Sequence, residues 1–160
     1  MYRQISIRHE DFDIGAEWQA LRACLGGSAG AMAAFCGVVR DQFGADAIET
    51  LELEHYPGMT ERSIERILAE AESRWTLDAG VVIHRIGLLR PADQIVLVMI
   101  AARHRGEALA ACQFVIDLLK TDAVFWKRER SPTRARWVDS TRTDHERAAE
   151  WAAPDASRRR

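Results

Sequence analysis

The spacing of apolar positions changes several times along the chain, and each change marks an element. Gln4-Ile5-Ser6-Ile7-Arg8 alternates polar and apolar, which predicts a strand. From Asp13 to Leu25 the period lengthens to that of a helix, with Ile14, Trp18, Leu21 and Leu25 on one face and Asp11 or Asp13 placed as its cap. Gly26-Gly27-Ser28 ends it. Gly30 to Arg40 reads as a strand of small residues, 41–46 as a turn, and Ala47 to His55 as a further strand carried by Ile48, Leu51 and Leu53. After Pro57-Gly58, Thr60 is expected to cap a helix buried through Ile64, Ile67, Leu68, Ala71 and Trp75.

Ala79 to Ile86 and Gln94 to Ala102 read as two apolar strands joined by Gly87 to Asp93. Val96 to Ile100 shows no polar alternation, which predicts a central strand covered on both faces. Leu109, Cys112, Ile116 and Leu119, spaced 3, 4 and 3, then predict a helix between Gly106 and Thr121. Phe125 to Arg128 and Arg136 to Val138 read as short strands around a Ser131-Pro132 turn, and His145 to Trp151 as a last short helix. Residues 1–151 are expected to form one domain and 152–160 a disordered tail. With so few consecutive β-α-β units the fold class is α+β.

Composition narrows this further. Of 160 residues 48% are hydrophobic, the net charge is -2, and there is neither an apolar run long enough to span a membrane nor a leader-like N-terminal segment. The expectation is a globular cytoplasmic protein without a membrane anchor. Cys24, Cys36 and Cys112 are an odd number in apolar contexts with no C-x-x-C pair, which favours free thiols over a disulfide or a metal site. No metal and no cofactor is expected. The overall acidity counts against a nucleic-acid-binding domain, the reading that arginines interleaved with Trp126 and Trp137 would otherwise suggest.

The candidate chemistry gathers around the helix after Ala102. Arg103, His104 and Arg105 precede it, and Lys120, Lys127 and Arg128 follow. A helix of about 14 residues is roughly 21 Å long. The two basic ends therefore meet only if the chain after Lys120 folds back or if a second subunit supplies one of them. Of 22 Lys and Arg residues only Lys120 and Lys127 are lysines. An amine can lose its proton and attack a carbonyl where a guanidinium cannot. That leaves open a Schiff-base enzyme acting through Lys120 on a phosphorylated carbonyl substrate.

Longer motifs point to a family. Leu53 to Thr60 (LEHYPGMT), Val82 to Gly87 (VIHRIG), His104-Arg105, Leu119-Lys120-Thr121 and Phe125 to Glu129 (FWKRE) occur in series between about Phe35 and Trp151. In order and spacing they closely resemble the large, catalytic subunit of molybdopterin synthase. The resemblance implies an α/β hammerhead-type fold with additional antiparallel strands, and a homodimer. It also implies that each protomer binds a small ubiquitin-like sulfur-carrier subunit, giving a heterotetramer. The carrier's C-terminal Gly-Gly ends in a thiocarboxylate, whose sulfur goes to cyclic pyranopterin monophosphate to form the dithiolene of molybdopterin.

By the same resemblance, substrate contacts fall on Val38, Val39, Arg40, His104, Arg105, Lys120, Lys127, Arg128 and Glu129. Lys120 and Lys127 are the catalytic candidates, and Lys120 matches the lysine usually assigned that role. Arginine forks suit the substrate's phosphate, and His104 or a lysine suits proton transfer. Glu129 is expected to orient Lys127 or Arg128. Val38 departs from the pattern, because relatives often carry a basic residue there.

Overall fold

The computed structural model describes residues 1–43, 46–131 and 135–152. Parts of the two expected turns, at 41–46 and at Ser131-Pro132, lie outside these residues, as does the tail from 153 onward. The elements in order are β1 (Tyr2–Arg8), α1 (Ile14–Leu25), β2 (Ala31–Val38), β3 (Gln42–Phe43), β4 (Asp46–Ala47), β5 (Thr50–His55) and α2 (Met59–Arg74). Then follow β6 (Leu77–Arg85), β7 (Gly87–Leu89), β8 (Gln94–Ala102), α3 (Arg105–Thr121), β9 (Phe125–Arg130), β10 (Ala135–Val138) and α4 (Arg142–Glu150).

Two four-stranded sheets organise the described residues. The larger runs β1-β6-β8-β2, with β1 parallel to β6 and the other pairs antiparallel. The smaller runs β10-β9-β5-β7 and is antiparallel throughout. β3 and β4 form a separate ribbon. The class is α+β, as the patterning requires. No helix among the described residues is long and apolar enough to cross a membrane.

β8 is the doubly covered strand. Val98, Ile100 and Ala102 face a core shared with α2 and α3, while Leu97, Met99 and Ala101 face a second core with Phe12 and Leu21. Each large apolar side chain buried this way contributes about 1.5–3 kcal/mol. α1 starts as its sequence dictates: the Asp13 carboxylate accepts from the Ala16 N–H at 2.9 Å. Gly26 closes it in the left-handed region. Of the expected apolar face only Leu21 is fully buried, and Ile14 is half out.

Four expectations need correction. Gly58, not Thr60, is the N-cap of α2, and the Glu61 carboxylate accepts from its N–H at 2.6 Å. Thr60 is instead buried, its hydroxyl 3.1 Å from the Tyr56 N–H that donates to it and 2.8 Å from the Val124 carbonyl. It thereby ties α2 to the residue before β9. Second, the joint after β6 contains a strand: Gly87 turns the chain at φ 85°, and β7 leaves to pair with β5. A Cβ at Gly87 would stand 2.7 Å from His9 Nδ1, so the turn requires glycine on two counts.

Third, α3 is longer than expected, and its stripe is rotated. It spans 17 residues with Gly106 inside its first turn. Its buried face is Ala108, Ala111, Cys112, Phe114, Val115 and Leu118, whereas Leu109 is 62% exposed. Small residues there let the helix lie close on β8 and β2. Fourth, α4 starts one turn earlier than its apolar pattern suggests. Thr141 and Asp144 cap each other reciprocally at its head. Beyond it, Trp151 donates to the Asp117 carboxylate at 2.8 Å and stands edge-on to Phe114 and Trp75. That contact pins α4 across α3.

Candidate active site

Lys120 sits in the last turn of α3 and is exposed. Lys127 sits in β9, half-buried, between its cross-strand neighbours Leu53 and Val138. Leu53 is 2% exposed and packs with Val39 and Leu89. Successive strand side chains point to opposite faces, so Lys127 shares the inward face of β9 with Phe125 and Glu129. The two lysines line one pocket of about 540 Å³, to which Glu54, Phe125, Trp126 and Trp137 also contribute.

The surroundings treat the two amines differently. Burial holds the Lys127 pKa below the usual lysine value, and the charge of Lys120 adds to this; Asp144, on α4, pulls the other way. For Asp144 itself burial disfavours the charge. The Thr141 N–H and hydroxyl and the two lysines outweigh that and hold its carboxyl below the usual range. Beneath Phe125 lies His84, near the end of β6. The rings stack with centroids 3.9 Å apart and planes 19° from parallel. Burial pushes the His84 pKa down to about 4. The Arg85 carbonyl opposes that, while Lys127, Lys120 and His55 reinforce it.

The remaining expected residues divide into groups. Arg128 faces away from Lys127, lying 3.8 Å from Glu52 and with its guanidinium 5.8 Å from the Trp137 ring. Glu129 orients neither Lys127 nor Arg128 by a direct bond; it accepts from Arg136 at 3.0 Å. Val38 is exposed at the end of β2, Val39 is buried against Leu53, and Arg40 follows outside the residues that line the pocket.

His104 and Arg105 stand at the opposite end of α3. His104 occupies the N-cap position without a capping bond from its side chain, and Arg105 opens the helix. From there to Lys120 is about 22 Å along the axis. The chain after Lys120 does not fold back to them. Phe125 stacks on His84, which is in register with Val96, and Val96 is about 20 Å along β8 from Ala102. Because Val38 pairs with Gln94 and Ala31 with Ala102, Arg40 too is at the far end of the ladder from His104.

Residues 7–122 match the model of a family described as MoaE protein. The chain belongs to the MoaE family. A curated MoaE-family relative from Ralstonia nicotianae, named molybdopterin synthase catalytic subunit, is 51% identical over 147 residues, covering 92% of this chain and 83% of that protein. The solved structure of the molybdopterin biosynthesis MoaE protein from Burkholderia ambifaria superposes with a TM-score of 0.81 at 48% identity, covering 96% of this chain and 100% of that one. That of a molybdopterin synthase from Staphylococcus aureus superposes at 0.76 with 28% identity, covering 83% and 95%. These likenesses give no support to a nucleic-acid-binding domain or a Schiff-base enzyme.

The sequence reading gives His84 no role beyond its place in the VIHRIG motif and does not single out Trp137 or Asp144 for the lysine site. One signal for His84 was available: it is an ionisable side chain that directly follows the apolar run from Ala79 to Ile83. Nothing local announces Asp144, which reaches the site only because α4 crosses α3.

Proposed function

We propose that this chain is the catalytic subunit of a molybdopterin synthase. It takes sulfur from the C-terminal thiocarboxylate of a small ubiquitin-like carrier and delivers it to cyclic pyranopterin monophosphate, building the dithiolene in two transfers. The observation that carries this reading is that the only two lysines of the chain line one pocket. No cysteine lines it: Cys24 is exposed elsewhere, Cys36 is half-buried beside Gln94, and Cys112 is buried in the core. The sulfur therefore has to arrive from outside.

The pocket suits that delivery. A thiocarboxylate is an anion, and two lysines compensate its charge as it leaves water. A Gly-Gly tail carries no side chains and can pass between Trp126 and Trp137, which both border the pocket. Once sulfur has bonded to the substrate carbon, water must cleave the acyl–sulfur bond, returning the carrier as a carboxylate. A positioned amine is a group that can manage those protons, with Lys120 and Lys127 as the catalytic pair.

The phosphate of the substrate belongs with arginine and histidine. His104 and Arg105 lie about 22 Å from Lys120 in one chain, so in this reading they come from the second copy in a homodimer, and two carriers complete a heterotetramer. Val38, Val39, Arg40, Arg128 and Glu129 complete the substrate-contacting set, and Val38 makes its contact without a basic group. The setting is the cytoplasm, where three unpaired cysteines remain thiols.

The test is reconstitution of the purified chain with thiocarboxylated carrier and pyranopterin substrate, followed by assay of the dithiolene. Product is expected from the wild type and from a variant with Cys24, Cys36 and Cys112 all changed to Ala, and none with a carrier lacking its last glycine. A triple-cysteine variant that folds but makes no product with a competent carrier would show that sulfur passes through this chain, and would sink the reading.

A further inference from the structure

The two lysines have unlike surroundings, and the unlikeness originates in a residue that does not touch the pocket. His84 is 6% exposed and lies under the inward face of β9. Its Nδ1 is 2.7 Å from the Arg85 carbonyl. A carbonyl offers only lone pairs, so Nδ1 must carry the hydrogen, and a neutral ring then keeps a bare Nε2. The ring stacks flat on Phe125, two residues before Lys127 on the same face. On its other sides Lys127 meets Leu53 and Val138 across the strands. Among the described residues no carboxylate forms an ion pair with Lys127, although Glu129 on the same face has Arg136.

We propose that His84 is a positioning residue for Lys127: its ring, fixed by the Arg85 carbonyl and stacked on Phe125, is the dry floor under the inward face of β9 that keeps water from the Lys127 amine. This rests on the lysine-dependent reading above and gives Lys127 the part of a proton acceptor within the catalytic pair it forms with Lys120. The charged and titratable groups around Lys127 are Lys120 from α3, Asp144 from α4, His84 from β6, His55 and Glu54 from β5, and Asp139 after β10. Asp144 and Lys120 act in opposite senses on Lys127, which leaves the floor to decide the balance. A ring of no charge removes water without offering a counter-ion, and desolvation alone favours the neutral amine.

The composition supplies a direct probe. With two lysines in the chain, labelling lysine with carbon-13 at Cε gives two signals, assigned by Lys120→Arg and Lys127→Arg. In the wild type the Lys127 signal is expected to titrate below the usual lysine range. His84→Asn keeps a donor for the Arg85 carbonyl but removes the ring. It should raise the proton affinity of Lys127 about tenfold, roughly one unit in its midpoint, and carry the acid limb of kcat/KM in the reconstituted synthase to higher pH with it. His84→Phe keeps a dry ring, so the Lys127 midpoint should stay low even if the fold is less stable.

A Lys127 signal that titrates in the usual lysine range in the wild type overturns the proposal without any variant. So does an imidazolium at His84 at neutral pH, read from its ring nitrogen shifts. An unmoved Lys127 midpoint in folded His84→Asn, or a raised one in His84→Phe, does the same. The underlying sulfur-transfer reading fails separately, if Lys120→Arg and Lys127→Arg both keep full turnover whatever the titrations show.

Discussion

Along β8, the six residues from Leu97 to Ala102 are each no more than 1% exposed; along β9, no residue is fully buried. The larger sheet is covered on both faces and carries few charges in its middle strands. The smaller sheet buries one face through Leu53 and Leu89 and presents Leu88, Trp126 and Trp137 to solvent on the other, each more than half exposed. The contrast separates two jobs. Close packing under α3 fixes where Lys120 stands, because core positions tolerate little displacement. A half-covered strand can hold a lysine partly dry without burying its backbone partners. The sheets touch chemically where His84, a polar residue at the end of an apolar strand, stacks on Phe125.

The sharpest test of that division is Lys120→Arg. Charge and fold are kept and the titratable amine is lost, so turnover should fall by about 10²–10⁴-fold, the range for a lost acid–base group, with the melting temperature unchanged. Near wild-type turnover would reduce Lys120 to an electrostatic role. Ile100→Ala in β8 should act the opposite way, costing about 2–5 kcal/mol of stability while the folded fraction keeps its turnover. Trp126→Ala, on the exposed face of the other sheet, should move stability by no more than about 0.5 kcal/mol. Equal losses from the two would abolish the distinction between scaffold and site surface.

A smaller and more specific effect comes from pH. The pKa of His84 is lowered from 6.5 to about 4 in the folded protein. Between those values the unfolded chain binds the extra proton, so stability is full above pH 6.5 and drains away as pH falls toward 4. The loss is at most about 3 kcal/mol. Glu72, Asp11 and Asp144 all have lowered carboxyl pKa values, so their losses come at lower pH. Urea unfolding at pH 7 and pH 5 should show a drop in the wild type that is missing in His84→Phe. An equal drop in both would mean that another group titrates in that window.

How much of this the sequence discloses depends on whether the cause is local. β8 was legible because Val96 to Ile100 has no polar interruption, and α1 because Asp13 and Gly26 punctuate it. The face of α3 was misjudged because leucines outweigh alanines in any hydrophobic count, yet Ala108 and Ala111 are what a close helix–sheet contact needs. β7 is three residues long and exists only by pairing with β5. For the site the resemblance supplies candidate residues but not their arrangement. That Lys127 and Arg128 point to opposite faces follows from their adjacency in a strand; that Glu129 bonds Arg136 follows from a register between β9 and β10 which no local pattern states.

The length of α3 has a genetic consequence. If each centre takes its lysines from one copy and His104 with Arg105 from the other, damage at the two ends of the helix falls in different centres. In a mixed dimer of Lys120→Arg and Arg105→Ala chains, one centre inherits both lesions and the other inherits neither. Two inactive chains produced together should then recover activity, with about a quarter of all centres intact when the copies pair at random in a symmetric dimer. Two inactive chains that both carry lesions at the lysine end, Lys120→Arg with Lys127→Ala, should recover none.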